Sequence, residues 1–354
     1  MDIIRKVFGY LPDGRAVDSF CLINDNRHSV TVLTLGGIIQ SVQVPDCDGD
    51  LGEVILGCDC LSDYLSQHAY LGAIVGRYAN RIAGGNLPIG RRSVQLDCND
   101  GLHHLHGGKN GFSHRLWQPA FDVTENSVHL VLSLFSPDGD QHYPGTLQVK
   151  VTYQWNNDDE LKLSYQAVTD QLTPVNLTNH SYFNLGHDNH CLNHQVQLFS
   201  DTWLPADKQG IPQGKMAEVC GTPMDLRQMT SIKEGLESLF GPIQKAGGFD
   251  HNWLIRGYDP QKKNHLLPVA DVSESGSGRI LQVYSTLPGV QFYTGNFLEG
   301  VSGRQGYNYP KHGGFCLETQ FYPDSPHHPE FPSCWLKPGQ IYDHKTCYRF
   351  GVKA

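Results

Sequence analysis

Apolar residues recur at every second position along several stretches of the chain, the spacing of a strand with one face buried. Val128, Leu130, Leu132 and Leu134 make one such ladder. Leu147, Val149, Val151, Tyr153 and Trp155 make the next, and the turn-forming run Asn156-Asn157-Asp158-Asp159 leads into Leu161, Leu163, Tyr165 and Ala167. This pattern predicts a three-strand antiparallel meander. Similar ladders run over 30–35, over 38–44 after the Gly36-Gly37 pair, over 280–284 and over 290–293. Helical spacing is confined to 61–68 and the region 229–239, which argues against a parallel sheet with crossover helices. No repeat, low-complexity tract or linker breaks the pattern. The expectation is all-β: one domain over 1–354, a large antiparallel β-sandwich with a few short helices.

Three segments place polar groups where a structural strand has little use for them. In Asn176-Leu-Thr-Asn-His-Ser-Tyr-Phe-Asn-Leu185, the even positions Asn176, Thr178, His180, Tyr182 and Asn184 fall on one face of a strand, opposite Leu177, Phe183 and Leu185. Solvent faces of strands usually carry Lys, Glu or Thr and are poor in Asn, so this face reads as a binding cleft. Gln291 and Tyr293 share a face in 289–296, and Glu318 and Gln320 oppose Phe315 and Leu317 in 314–320. An imidazole, an amide and a carboxylate are thus offered from three strands.

Composition narrows the partners. A chain of 354 residues that is 39% hydrophobic can bury a substantial core. With 27 Lys and Arg against 36 Asp and Glu, its net charge of −9 gives no general attraction for nucleic acid or an anionic membrane. The N-terminus lacks an apolar signal region, and no stretch approaches ~18 uninterrupted apolar residues. The expectation is a soluble, cytoplasmic protein with its ten cysteines reduced, a monomer or a homodimer. The 38 Gly and 20 Pro imply many tight turns, and the 18 His direct attention to histidine chemistry. The glycine-rich stretches 76–85, 102–108 and 247–252 lack the GxxxxGK[ST] and GxGxxG patterns of phosphate loops. Cys58-Asp59-Cys60 lacks zinc spacing, and adjacent histidines such as His103 and His104 point to opposite faces of a strand, so no metal and no cofactor is expected. Amide and guanidinium donors with an Asp acceptor match sugar hydroxyls, while a Glu and a His exchange protons near pH 7. Together these residues suit proton transfer on a neutral polyol.

The strings GRYANRIA, LHGG followed by GF and Trp117, NLTNHSYFNL, FDHNW, PGVQFYTGNFL, and GFCLETQFYPDSPHHPEFP followed by PG-x-x-Y resemble the galactose mutarotase (aldose 1-epimerase) family. They occur in order over about Gly36 to Tyr348, and PDSPHHPEFP looks most like bacterial members. The resemblance implies a twisted antiparallel β-sandwich with a small-molecule sugar bound across one sheet. It places a catalytic base at Glu318, an acid at His180 and a second active-site histidine at His106. Substrate-holding roles fall on Asn80, Arg81, Asp250 and Gln291. One departure is His142-Tyr143, where Gly-Phe is expected.

The implied reaction needs Glu318 ionised and His180 protonated at neutral pH, the first taking the anomeric hydroxyl proton while the second protonates the ring oxygen. Three other readings stay open. A glycoside hydrolase could use Asp250 and Glu318 as its two carboxylates. A non-catalytic carbohydrate-binding protein would lack the pair across one ring. An epimerase of phosphorylated hexoses would need a cationic clamp, toward which the pocket strings contribute only Arg81.

Overall fold

The ladder residues build the largest sheet. In Ser127–Ser136, Leu147–Asn156 and Glu160–Thr169 the alternate apolar positions are buried, with Leu132 opposite Val151 and Tyr153 opposite Leu163. Each such fully buried side chain contributes roughly 1.5–3 kcal/mol. The computed structural model describes residues 1–353 except Lys263. Beyond the meander, Glu160–Thr169 pairs with Tyr342–Val352, and the sheet continues through Arg279–Ser285, Leu267–Glu274, His194–Leu198 and Thr230–Ser231. Gln118–Val123 forms the opposite edge of this nine-stranded antiparallel sheet.

Two five-stranded antiparallel sheets complete the sandwich. One runs in chain order through Asp2–Tyr10, Ala16–Ile23, Ser29–Leu33, Ile39–Pro45 and Leu51–Glu53. The other has the order Ala217–Glu218, Thr202–Leu204, Asp250–Leu254, Gly289–Tyr293 and Cys316–Gln320. Phe20, Val30 and Val32 from the first and Trp253, Phe292 and Leu317 from the second join Leu132, Val151 and Leu163 in one apolar cluster. That shared core makes the architecture an all-β sandwich.

Among the described residues the α-helices are Leu61–Ser66, Ile232–Glu237 and Gly241–Ala246, each of six residues. The first two fall where helical spacing predicts them; the third was not expected. No helix among the described residues is long and apolar enough to cross a membrane. One expectation is overturned. Residues 176–185 do not form a regular strand: Thr178–Asn179 pairs with Ile74–Val75, single bridges join Asn176 to Tyr78 and Phe183 to Ile55 and Phe315, and every side chain from Val175 to Leu185 is buried. The segment threads between sheets instead of offering one face to a cleft.

Candidate active site

Several chain segments converge on one cavity of about 490 Å³, within the usual range of small-ligand sites, with 66–70 and 297–302 at its wall and three further regions bringing in the polar groups singled out above. The first is the stretch ending in Asn80 and Arg81. Arg81–Ile82 pairs with His104–Leu105, which carries His106 alongside. Asn80 adopts a left-handed φ of 66°, a conformation Asn tolerates better than most residues. There its N–H donates to His106 Nδ1 (3.2 Å) and its carbonyl accepts the His106 N–H (3.1 Å). The loop closes on Gly107, whose φ is 84° and where a Cβ would lie 1.8 Å from the Gly76 carbonyl oxygen.

The second segment, 176–185, is pinned by its own polar side chains. Asn176 donates to the Ala79 and Phe321 carbonyls and accepts from the Phe321 N–H. Asn179 donates to Gly72 O, and Asn184 donates to Asp188 O and Gly313 O. These amides reinforce an irregular backbone pairing, and of the five even-numbered polar residues only His180 and Tyr182 line the cavity. The His180 ring lies 5.3 Å from that of His106, 5.0 Å from that of Tyr182 and 5.8 Å from that of Tyr70, and its Nδ1 is 3.5 Å from the Cys316 thiol.

Strand register supplies the third segment. Asp250, Tyr293 and Cys316 form one cross-strand row, and Asn252, Gln291 and Glu318 the next, all on one face. Asp250, Tyr293 and Glu318 reach the cavity. Gln291 does not line it: its Nε2 donates to Asp250 Oδ1 at 2.7 Å, so it stands behind the carboxylate as a brace. Arg81 is likewise held from outside, its Nε donating to Asp100 Oδ2 at 2.8 Å. No ion pair joins Arg81 to Asp250 among the described residues.

His180 Nε2 lies 3.7 Å from Glu318 Oε1, with both side chains buried. Burial pushes Glu318 well above the ordinary carboxylate range, and the neighbouring Asp250 charge adds to the rise while Arg81 opposes it. Burial also pulls His180 down to about 4. These directions reverse the protonation expected from the sequence, an ionised Glu318 beside a protonated His180. Desolvation penalises both charges, so the uncharged arrangement is favoured. Yet the neutral pair and the ion pair carry the same single proton and differ only in where it sits.

The pocket-facing atoms of His106, His180 and Glu318 lie within 4.8 Å of one another, the spacing of a two-histidine, one-carboxylate metal site. The His106 tautomer opposes that use. Its Nδ1 accepts the Asn80 N–H, which leaves the ring proton on Nε2. The nitrogen facing the cavity is therefore a donor suited to an oxygen of the ligand. Burial and the neighbouring His180 hold His106 well below the ordinary imidazole range, in agreement with a neutral ring.

A cavity with a carboxylate beside an imidazole, further polar groups and an aromatic wall sits on a fold that the aldose 1-epimerase family model matches over residues 18–349. The chain belongs to the aldose 1-epimerase family. It is 44% identical to the galactose mutarotase of Bos taurus over 356 residues, covering 99% of each chain. It is 39% identical to the aldose 1-epimerase of Escherichia coli (strain K12), covering 96% of each. The bacterial flavour of PDSPHHPEFP thus accompanies a higher overall identity to the mammalian protein. Among solved structures, a galactose 1-epimerase from Lactobacillus acidophilus NCFM superposes with a TM-score of 0.87 at 28% identity, covering 100% of this chain and 99% of that one.

Within this aldose 1-epimerase fold, sequence reasoning missed two contributors. Tyr70, at φ 56°, lays its ring 4.7 Å from that of His106, and Asp100 anchors Arg81. Tyr70 sits in a loop without periodicity, so nothing in the pattern singles it out. Asp100 carries a faint signal, the turn Asn99-Asp100-Gly101 just before the histidine run. Tyr143, where the sequence departs from the expected Gly-Phe, is buried and hydrogen-bonded to His104 Nε2 at 2.7 Å, away from the cavity lining.

Proposed function

We propose that the chain is an aldose 1-epimerase, an isomerase that interconverts the α and β anomers of free aldohexoses such as galactose and glucose. The observation that carries this reading is the buried His180–Glu318 pair, 3.7 Å apart, at the base of a cavity whose other polar groups suit neutral hydroxyls. Asp250 accepts and Arg81 and Asn80 donate hydrogen bonds to the ring hydroxyls, while the His106 Nε2–H donates to an oxygen near the reacting carbon.

Ring opening uses the ion-pair form. Glu318 takes the proton from the C1 hydroxyl, the C1–ring-oxygen bond breaks as the C1 carbonyl forms, and His180 delivers its proton to the ring oxygen. Rotation about C1–C2 presents the other carbonyl face, and the same two transfers in reverse close the opposite anomer. On opening Glu318 gains a proton and His180 loses one, and closure reverses both transfers, so nothing is consumed. Each positioned group contributes roughly 10² to 10⁴ in rate. The sugar also lowers the cost of the ion pair, because its hydroxyls restore polar contacts that burial removes.

The single domain, the sugar as partner without nucleic acid or membrane, and a reducing, cytoplasmic setting belong to the same reading. Polarimetry of freshly dissolved α-galactose and α-glucose tests the function: the purified protein should speed the approach to equilibrium, with and without EDTA. A rate equal to that in buffer for both sugars would refute it.

A further inference from the structure

Fourteen buried side-chain nitrogen and oxygen atoms among the described residues have no hydrogen-bond partner, and six of them belong to four neighbours on one sheet face. These are both amide atoms of Asn252, both of Gln320, Oε1 of Gln291 and Oε2 of Glu318. Register explains the grouping. Asn252, Gln291 and Glu318 form one cross-strand row, and Gln320 lies two residues beyond Glu318, opposite Gly289. A Cβ on Gly289 would lie 2.6 Å from Asn252 Oδ1, so the glycine, opposite Gln320, leaves the room that the Asn252 amide occupies. All four side chains are at most 4% exposed. The far end is closed by Leu254 packed against Leu204, Tyr322 and Phe331. Six unpaired polar atoms in an apolar enclosure are costly unless something bonds to them, and amides arranged around a carboxylate oxygen offer the two to four partners that a buried water needs.

We propose that the seam behind Glu318 is a closed, hydrated chamber in which ordered waters held by Asn252, Gln291 and Gln320 hydrogen-bond the rear oxygen of the carboxylate, making Gln320 and Asn252 positioning residues for the base. The inference rests on the acid/base reading of Glu318. The front oxygen, Oε1, faces His180, so the rear one is left for this support. Water on Oε2 stabilises the carboxylate and shifts the shared proton toward His180, the form that opens the ring. The other charged or titratable groups facing Glu318 are Asp250, Arg81, His180 and His106. Burial keeps the surrounding hydroxyls and thiol of Tyr182, Tyr293, Tyr348 and Cys316 protonated.

Gln320→Leu and Gln320→Asn test the proposal, with the unaltered protein assayed alongside. Leu removes the polar anchor, so kcat on the pH-independent plateau should fall about tenfold while the alkaline limb of the profile moves up by about one pH unit, the two changes matching because both report the same ionisation. KM should stay within about twofold. Asn keeps an amide in the chamber and should restore most of the rate. A plateau that is unchanged, or that falls with the limb unmoved, overturns the proposal. A crystal structure of the unaltered protein at water-resolving resolution gives a measurement independent of folding of the variants. Waters within hydrogen-bond distance of Glu318 Oε2 are expected, and a dry chamber or amides bonded only to one another would overturn it. Absence of mutarotation in the unaltered protein strikes the functional reading instead, and leaves the water measurement to judge the chamber.

Discussion

Glu318 and His180 share one proton in a site that disfavours charge on both, and two consequences follow for activity. Glu318→Gln keeps the shape and one acceptor oxygen but removes the proton acceptor. Its kcat should drop by roughly 10² to 10⁴, with sugar binding retained in a calorimetric titration. A variant keeping more than about a tenth of the rate would move the base elsewhere. The second consequence is a broad plateau in the pH–rate profile. With His180 depressed to about 4 and Glu318 raised, the pair holds one proton across the whole interval between them. The rate should therefore be nearly flat above about pH 5, falling below about pH 4 where a second proton silences the base and again on the alkaline side where the pair loses its one proton. A narrow bell centred near pH 6.5 would mean that desolvation does not rule the site. Arg81 belongs to a different class, since it is braced by Asp100 and touches no reacting atom in this mechanism. Asp100→Asn should raise KM more than it lowers kcat, because in the proposed mechanism Arg81 holds the sugar in ground and transition states alike and Asp100 braces it.

At the scale of elements, what could be read in the chain follows how each segment satisfies its backbone. The meander over 127–169 was legible because each strand pairs on both sides and buries one face, so alternation is complete. Asp2–Tyr10 was not, because it is an edge strand with six of its nine residues exposed and no apolar ladder to read. The 176–185 segment misleads for a third reason: its Asn residues look like a polar strand face but are buried and tie the segment to neighbouring backbone carbonyls. Individual site residues stood out as polar intrusions, whereas the brace role of Gln291 and the wall formed by Tyr70 depend on distances that no periodicity encodes. The meander also carries the clearest stability test. Leu163 is fully buried opposite Tyr153, so Leu163→Ala should cost roughly 2–5 kcal/mol by lost burial and a residual cavity. Urea denaturation should show the midpoint fall with activity per folded molecule unchanged.

Across the whole molecule, histidines outside the cavity set the acid limit of the fold. His194 Nδ1 donates to Cys191 O and its Nε2 accepts the Leu185 N–H at 2.8 Å. His104 is held between Asp97 O and the Tyr143 hydroxyl, and His251 Nδ1 accepts the Asp250 N–H. In His194 and His251 the accepting nitrogen faces a backbone donor, so adding a proton there sets N–H against N–H. Burial pulls His104, His194 and His251 each down to about 4 from an ordinary 6.5. The sign follows from which state binds the proton. Above pH 6.5 neither state does, and stability is complete; between 6.5 and 4 the unfolded chain takes protons that the folded chain refuses, so stability falls with pH. Below about 4 both states are protonated and this loss stops. The raised carboxyls of Glu53 and Glu318 act in the opposite sense, taking protons in the folded state before the unfolded one, and soften the decline. The urea midpoint should therefore hold near pH 7 to 8 and drop steadily from about pH 6.5 to 4, each histidine adding a slope of at most ~1.4 kcal/mol per pH unit. His194→Gln offers an amide donor and acceptor in place of the ring without titrating, so it should flatten the decline by up to one proton even where it lowers the starting stability. A midpoint independent of pH over that window, or a His194→Gln curve parallel to the wild type, would show that these rings are charged in the native state.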